Sequence, residues 1–344
     1  MVNGLSWKVV SRAEAESRWD GWLAQFEDQH IRQSFAWGLH KSRSWEPVHT
    51  GLFDGPTPVA LGLCLEKRLP FASTLSWINA GPVFFRPRSA AENLSALSKY
   101  LEGLKDYLGR RGRPMLRIYP YCAMDLEAQV ELRRSGFIRP LTRIGSGLSY
   151  VLDLRADAES LQSGLERHWR NQLRASKKAQ PSLVIGTDRV LLEKYIPLHN
   201  SLCDRKRLPH QRIELEELQG LVDRLGANIR LLLASVDGEH ACGMVLWTLG
   251  RRAFLAYSAA SELGLRRNLP NFLYWRAALH LKEQGVELWD LMGVDPADNW
   301  GVFNFKRGLG GRLIEYLGEW DWSNSPWIRR GFNAALWWRR DRLG

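Results

Sequence analysis

The residues with the most chemical promise lie at 290–311, DLMGVDPADNWGVFNFKRGLGG. Lys306 stands beside Phe303 and Phe305 and runs into Gly308, Gly310 and Gly311. A lysine so placed can be held half dry, next to a backbone that lets a ligand come close. That setting suits a cation facing a carbonyl or phosphate oxygen as negative charge develops on it. A solvated lysine on a β-hairpin is the plainer alternative. The short strand 288–291, with Asp290 near its end, and the turn-rich loop 293–301 must deliver Lys306 to its place.

Three further groups invite a functional reading. In ERHWRNQLRASKK (166–178), Arg167, Arg170 and Arg174 fall at i, i+3 and i+7 on one helix face, extended by Lys177 and Lys178. Such a stripe binds a diphosphate or an RNA backbone, or is simply a solvated basic face. Lys41 follows Trp37 by one helical turn, so the two share a face, and alone it reads as a surface charge. Tyr257 precedes Ser258, Ala259 and Ala260, small residues that leave room for a ligand; a core tyrosine is the alternative.

A length of 344 residues predicts two domains, and 45% apolar with 25% charged residues places the chain among ordinary globular proteins. A net charge of +11 favours polyanionic partners: nucleic acid, phosphorylated substrates or an anionic membrane face. Cys64, Cys122, Cys203 and Cys242 form no CxxC pair and have no histidine at ligand spacing, so neither a zinc site nor a disulfide framework is expected. Scattered cysteines suit a reducing cytosol. The N-terminus shows no signal-peptide core, and no run of roughly 18 apolar residues could span a bilayer. A cytoplasmic protein that meets any membrane-borne substrate from the inner face is expected. The sequence holds no P-loop, HExxH, Ser–His–Asp spacing or Rossmann fingerprint.

The elements repeat in order across the chain. Strands at 48–53, 59–66 and 74–78, broken by DGPTP and KRLPFA (67–72), precede helices at 95–110 and 126–135 and a strand at 115–119. Later, strands at 229–236, 241–249 and 252–259 precede a helix at 271–284 and the strand at 286–292, after a basic helix at 158–178. This order resembles the GNAT (acyl-CoA N-acyltransferase) α/β fold. The resemblance implies an α/β (α+β) protein of two tandem GNAT-like domains, 1–147 and 148–318, with mainly antiparallel mixed sheets flanked by helices.

Three motifs carry a more specific resemblance, to the FemAB family of aminoacyl-tRNA-dependent transferases that build peptide bridges on peptidoglycan precursors. GVFNFKRGLGGRLIEYLGEWD (301–321) is similar to the end of their catalytic domain. RNQLRASK (170–177) fits their R-x-x-[apolar]-R-x-A-x-K helix, and QSFAWGLHKSRSW (33–45) their QS-x-x-W-x-x-x-K-x-x-x-W helix. The resemblance implies that Lys306, seated by Phe305, stabilises the transferring oxyanion. It implies that Arg170 or Arg174 holds the diphosphate of a UDP- or lipid-linked muropeptide, with Lys41 as partner, and that Tyr257 lines the cleft. Within RIYPYCAMD (117–125), Tyr119, Tyr121 and Asp125 are the corresponding substrate-side residues, although Tyr119 stands where many relatives have Asp. The long coiled-coil hairpin of the larger members is absent from the sequence. No metal or cofactor is implied, because an aminoacyl ester on tRNA is already activated.

GNAT enzymes that use acyl-CoA carry a glycine-rich pyrophosphate loop whose bare N–H groups cradle phosphate. Here Arg266–Arg267–Asn268–Leu269–Pro270–Asn271 stands instead, which argues for a different acyl donor. Acyl-CoA or an acyl-carrier protein remains the alternative donor, and a basic RNA- or membrane-binding module is the non-enzymatic reading. The tail, 319–344, is expected to close back on the first domain, with Ile328, Phe332, Ala335 and Leu336 as its apolar side; a membrane-surface helix rich in Trp and Arg is the alternative.

Overall fold

The structure, a computed structural model, describes residues 4–69 and 73–341. Residues 70–72 of the expected KRLPFA break, and 342–344 of the tail, lie outside the described residues. The chain divides into two compact units: the described part of Met1–Gly147 with Glu315–Asp341, and Leu148–Ile314.

The first unit begins with β1 (Leu5–Val10), α1 (Arg12–Leu23), α2 (Phe35–Lys41), β2 (Glu46–Asp54), β3 (Thr57–Leu69), β4 (Ser73–Ile78), α3 (Ala90–Gly109), β5 (Arg113–Ile118) and α4 (Leu126–Arg134). Ser34 caps α2 through Trp37 N–H, and a full capping box of Ser89 and Glu92 starts α3. Leu97, Tyr100, Leu101, Leu104 and Leu108 of α3 are buried in a core with the sheet.

The second unit contains β6 (Leu148–Asp153), α5 (Ala158–Gly164), α6 (Arg167–Lys178), β7 (Ser182–Gly186), α7 (Arg189–Arg205), α8 (Leu215–Leu225), β8 (Ile229–Val236), β9 (Glu239–Leu249), β10 (Arg252–Ala260), α9 (Glu262–Arg266), α10 (Leu269–Glu283), β11 (Leu288–Asp290), α11 (Trp300–Arg307) and β12 (Arg312–Glu315). Asp237 and Gly238, at φ 52° and 81°, make the tight turn joining β8 to β9. Trp169 and Leu173 of α6 and Leu273, Trp275 and Ala277 of α10 lie in one core with the strands. The chain then returns to the first unit as β13 (Trp320–Trp322) and α12 (Pro326–Asp341).

Each unit has its own sheet, ordered β1-β2-β3-β4-β5-β13 and β7-β8-β9-β10-β11-β6-β12. The two orders correspond strand for strand from β1 and β7 onward. Both contain a parallel pair, β4–β5 and β10–β11, joined across a long helix, α3 or α10. An antiparallel strand follows each pair: β13 on β5, and β6 on β11. The two halves thus share an architecture, but the chain supplies that following strand from its far C-terminal return in one unit and from the start of the unit in the other.

A buried ion network fixes the return. Arg117 of β5 is 1% exposed. Its guanidinium donates to both carboxylate oxygens of Asp321 on β13, at 2.7 and 2.9 Å, and to Glu319 at 3.0 Å. Asn333 of α12 joins by donating to Asp321 at 2.8 Å, and the Thr142 carbonyl accepts from Arg117 at 3.0 Å. A bidentate pair of this kind specifies geometry as well as attraction. Buried Asn333 seats α12, with Phe332 under the Arg117 guanidinium, whereas Ala335 is exposed.

Two segments depart from the sequence expectation. The helix expected over 158–178 is two helices, because Leu165 and Glu166 are extended, at ψ 142° and 149°. Leu165 turns into the core there, 3% exposed. Lys306 sits on neither a hairpin nor a turn but near the end of α11, which Asn299 caps by accepting from Val302 N–H at 3.2 Å.

Candidate active site

The β10–β11 ladder runs from Arg252↔Leu288 to Phe254↔Asp290 and stops where β11 ends, while β10 continues to Ala260. Just past that point β10 is bulged against β9, with Ala256 as the extra residue between Leu255 and Tyr257. A bulge beside a diverging strand pair bends the strand and re-aims its side chains. The end of β11 is sharply turned. The Asp290 carboxylate accepts from Met292 N–H at 2.6 Å and from Ser149 Oγ at 2.5 Å, and Met292 adopts φ 57°.

Lys306 closes this turn from beneath. Its Nζ donates to the carbonyls of Leu291 (2.6 Å), Met292 (2.9 Å) and Gly293 (3.2 Å). An ammonium has three protons, so each carbonyl matches one donor. The side chain is 6% exposed. Burial pushes the Lys306 pKa down to about 8, against an upward pull from the Asp290 carboxylate.

Phe305 meets Tyr274 edge to face at 4.9 Å and lies 5.9 Å from Trp169, whose indole N–H donates to the Phe305 carbonyl at 3.2 Å. The glycines that follow make room for the protein rather than leaving a gap. A Cβ on Gly308 would come within 2.7 Å of Trp169, and one on Gly310, at φ 85°, within 2.5 Å of the Gly164 carbonyl oxygen. Glu166 completes the clasp: its N–H donates to the Gly308 carbonyl at 3.0 Å and its carboxylate pairs with Arg307 at 3.0 Å. Gly310→Ala should therefore lower stability by about 2–4 kcal/mol, through backbone strain plus a clash that no side-chain rotation relieves. Chemical denaturation checks this; a loss under about 0.5 kcal/mol would contradict it.

On its other side α11 borders a cavity of ≈ 520 Å³ lined by Trp169, Gln172, Asn304, Phe305 and Arg307, among others. Asn304 Oδ1 is shielded there with no hydrogen-bond partner among the described residues. Gln172 accepts from Asn271 Nδ2 of α10 at 3.3 Å.

The other candidates are placed as follows. Arg174 is exposed on α6, whereas Arg170 is half-buried and donates to the Ser163 carbonyl at 2.8 Å, with Trp169, Leu173 and Ser176 on the buried side of the helix. Tyr257 is half-buried, edge-on to His199 at 5.5 Å and Trp247 at 6.1 Å. In the first unit, Lys41 ends α2 with Nζ 4.9 Å from the Trp37 ring. Tyr121 is buried, stacked on Tyr316 at 4.1 Å. Half-buried Tyr119 lines a cavity of ≈ 310 Å³ with Arg139, Arg143, Tyr316 and Glu319. Asp125 caps α4, accepting from Ala128 N–H at 2.7 Å. The second unit thus gathers Lys306 and Phe305 with Trp169 and Asp290. Trp169 and Asn304 were not singled out from the sequence. Trp169 could have been found from the apolar stripe Trp169–Leu173 opposite the arginines.

Three antiparallel strands, a helix and a parallel strand diverging from the third form the frame in which Lys306 sits. Residues 162–307 match the family model of a GNAT acetyltransferase domain. Over 120 residues, 33% of the chain, the sequence is 27% identical to a lipid II:glycine glycyltransferase of Staphylococcus saprophyticus, and this match spans 28% of that protein's length. The fold matches the crystal structure of FemX with a TM-score of 0.82 at 16% identity, covering 95% of this chain and 100% of that one. A tandem GNAT protein from the clavulanic acid biosynthesis pathway matches with a TM-score of 0.55 at 14% identity, over 94% of this chain and 99% of that one. The tandem GNAT architecture expected from element order is therefore the one present, and the FemAB resemblance carried by three short motifs extends to the fold. Among the described residues no helix is long and apolar enough to cross a membrane.

Proposed function

We propose that the chain is an acyltransferase that forms an amide on an amine, taking an aminoacyl group from its ester on tRNA and passing it to a muropeptide precursor or related cell-envelope amine. The observation that carries the donor assignment is the entry to α10. Leu269 is fully buried, Pro270 brings no N–H, and the Asn271 N–H is already donated to the Asn268 carbonyl at 3.1 Å. A CoA pyrophosphate needs bare N–H groups at this helix start, and the first turn of α10 offers few. The glycyltransferase relative supports an aminoacyl donor, and the net charge of +11 suits both a tRNA backbone and a diphosphate.

In this reading the acceptor nitrogen attacks the ester carbonyl carbon, the C–N bond forms, and the ester C–O bond breaks. The amine proton leaves with the ribose oxygen. Negative charge passes through the carbonyl oxygen, and Lys306 meets it by giving up its longest bond, that to Gly293 O at 3.2 Å. Phe305, set against Trp169 and Tyr274, anchors α11 and through it the position of Lys306. Within the second unit Arg170 and Arg174 hold acceptor phosphates and Tyr257 contacts the acceptor, and in the first unit Lys41 and Tyr119 are the acceptor-side residues; Asp125, which caps α4, and buried Tyr121 act only through the structure around Tyr119. The activated ester calls for no metal or cofactor, and the use of tRNA places the reaction in the cytoplasm.

The match to a GNAT acetyltransferase domain favours a second reading, N-acyl transfer from acyl-CoA or an acyl-carrier protein. The two separate cleanly. The tRNA reading predicts transfer that RNase abolishes and no thermal stabilisation by CoA; stabilisation by CoA with RNase-resistant transfer would replace it by the second.

A further inference from the structure

The C-terminal helix has a second face that the closing role leaves unused. α12 packs inward through Phe332 and buried Asn333. At 100° per residue, Trp327, Ala334 and Trp338 fall on the opposite side, with Arg330 and Trp337 along one edge of it. The three indoles are 77%, 59% and 54% exposed. Tryptophan is mostly buried in globular proteins, so three exposed along one helix face, about 16 Å from first to last, is unusual. Arg330 lies 5.4 Å over the Trp327 ring, which joins cation and aromatic on that face. The neighbouring loop continues the pattern. Thr142 donates to the Asn333 side chain at 3.1 Å, and on either side of it Leu141 and Ile144 are 82% and 55% exposed, with Arg143 between them and solvent-facing.

We propose that this face seats the protein on an anionic bilayer, with α12 lying in the interface plane and Leu141 and Ile144 entering beside it. The charge is complementary: Arg330 on α12 and Arg143 between Leu141 and Ile144 are both exposed on this side, in a chain of net charge +11. Indoles favour the headgroup boundary, where the ring is dry and the N–H wet, while arginines reach anionic headgroups with their stems along the apolar layer. A solvated closing helix needs no indoles outward, and an RNA-binding face needs no exposed Leu141 and Ile144. The proposal does not depend on which acyl group is transferred.

Flotation of the full chain tests it, using phosphatidylcholine vesicles with and without phosphatidylglycerol. Wild type should float with the anionic vesicles, lose binding as salt rises, and bind neutral vesicles at least about 10-fold more weakly. The triple variant Trp327→Ala, Trp337→Ala, Trp338→Ala should bind anionic vesicles at least about 10-fold more weakly with an unchanged Tm, since the removed rings are exposed. Brominated lipids should quench wild-type tryptophan emission, and Trp327→Ala alone should reduce that quenching, so the test stands even if the triple variant misfolds. Equal flotation of wild type and a folded triple variant, no quenching by brominated lipid, or binding to RNA but not to anionic vesicles would overturn the proposal.

Discussion

Lys306→Met should lower kcat by about 10²–10³, the loss typical of removing one oxyanion donor, with only a modest change in acceptor affinity. The same substitution leaves the carbonyls of Leu291, Met292 and Gly293 without their common donor, so it also costs stability. The pH dependence separates the two roles. Below about pH 8 Lys306 is charged whether the chain is folded or not; between about 8 and its ordinary 10.5 the folded chain releases a proton that the unfolded chain keeps. Stability therefore rises with pH across that window, and this contribution is lost again as pH falls through about 8. Its size is on the order of 3 kcal/mol, readable as wild type minus Lys306→Met. The rate should move the other way, because only the ammonium can meet an oxyanion. A wild-type kcat that falls above pH 8 while stability rises marks a catalytic cation. A rate that holds level across the window, with the stability trend intact, assigns Lys306 to loop support alone.

Arg117→Met should be the most destabilising change in the first unit. It strands the Asp321 and Glu319 carboxylates, 0% and 5% exposed, with their principal cation removed. Breaking a buried ion pair from one side costs about 3–5 kcal/mol. Burial already pushes the Glu319 carboxyl upward, with the Gly145 N–H and Arg117 pulling against it, so the variant loses a restraint the site depends on. The loss should appear first as weakened protection of the amides of β13 and α12 in hydrogen exchange. A change under about 1 kcal/mol with full protection of β13 would mean that strand pairing alone holds the C-terminal return.

The tandem sheets were legible because short apolar runs end in clear turns, such as Asp237–Gly238. The setting of Lys306 was legible only in part. Its aromatic flank and dryness could be read, but not α11 itself, because Gly301, Val302, Phe303 and Phe305 are weak helix formers and the glycines beyond signal a turn. Asn299, whose side chain caps the helix, was the available cue. The glycines 308–311 suggested approach by a ligand, whereas Trp169 and the Gly164 carbonyl occupy the space beside Gly308 and Gly310; a glycine's need for room does not say what fills it. Asp125 shows a similar limit: its carboxylate looks free for a substrate in sequence, yet the first turn of α4 uses it as a cap. The basic face of α6 was readable from spacing, because helical periodicity turns Arg174 away from Trp169 and Leu173; Arg170 flanks that apolar side, and its half-burial was not readable.

The most direct test is the mass of an amine acceptor after incubation with the protein and a pool of charged tRNA. A gain of one aminoacyl residue, absent when the tRNA is digested beforehand and strongly reduced with Lys306→Met, is the predicted result. An acceptor that gains mass only when acyl-CoA replaces the tRNA would contradict it.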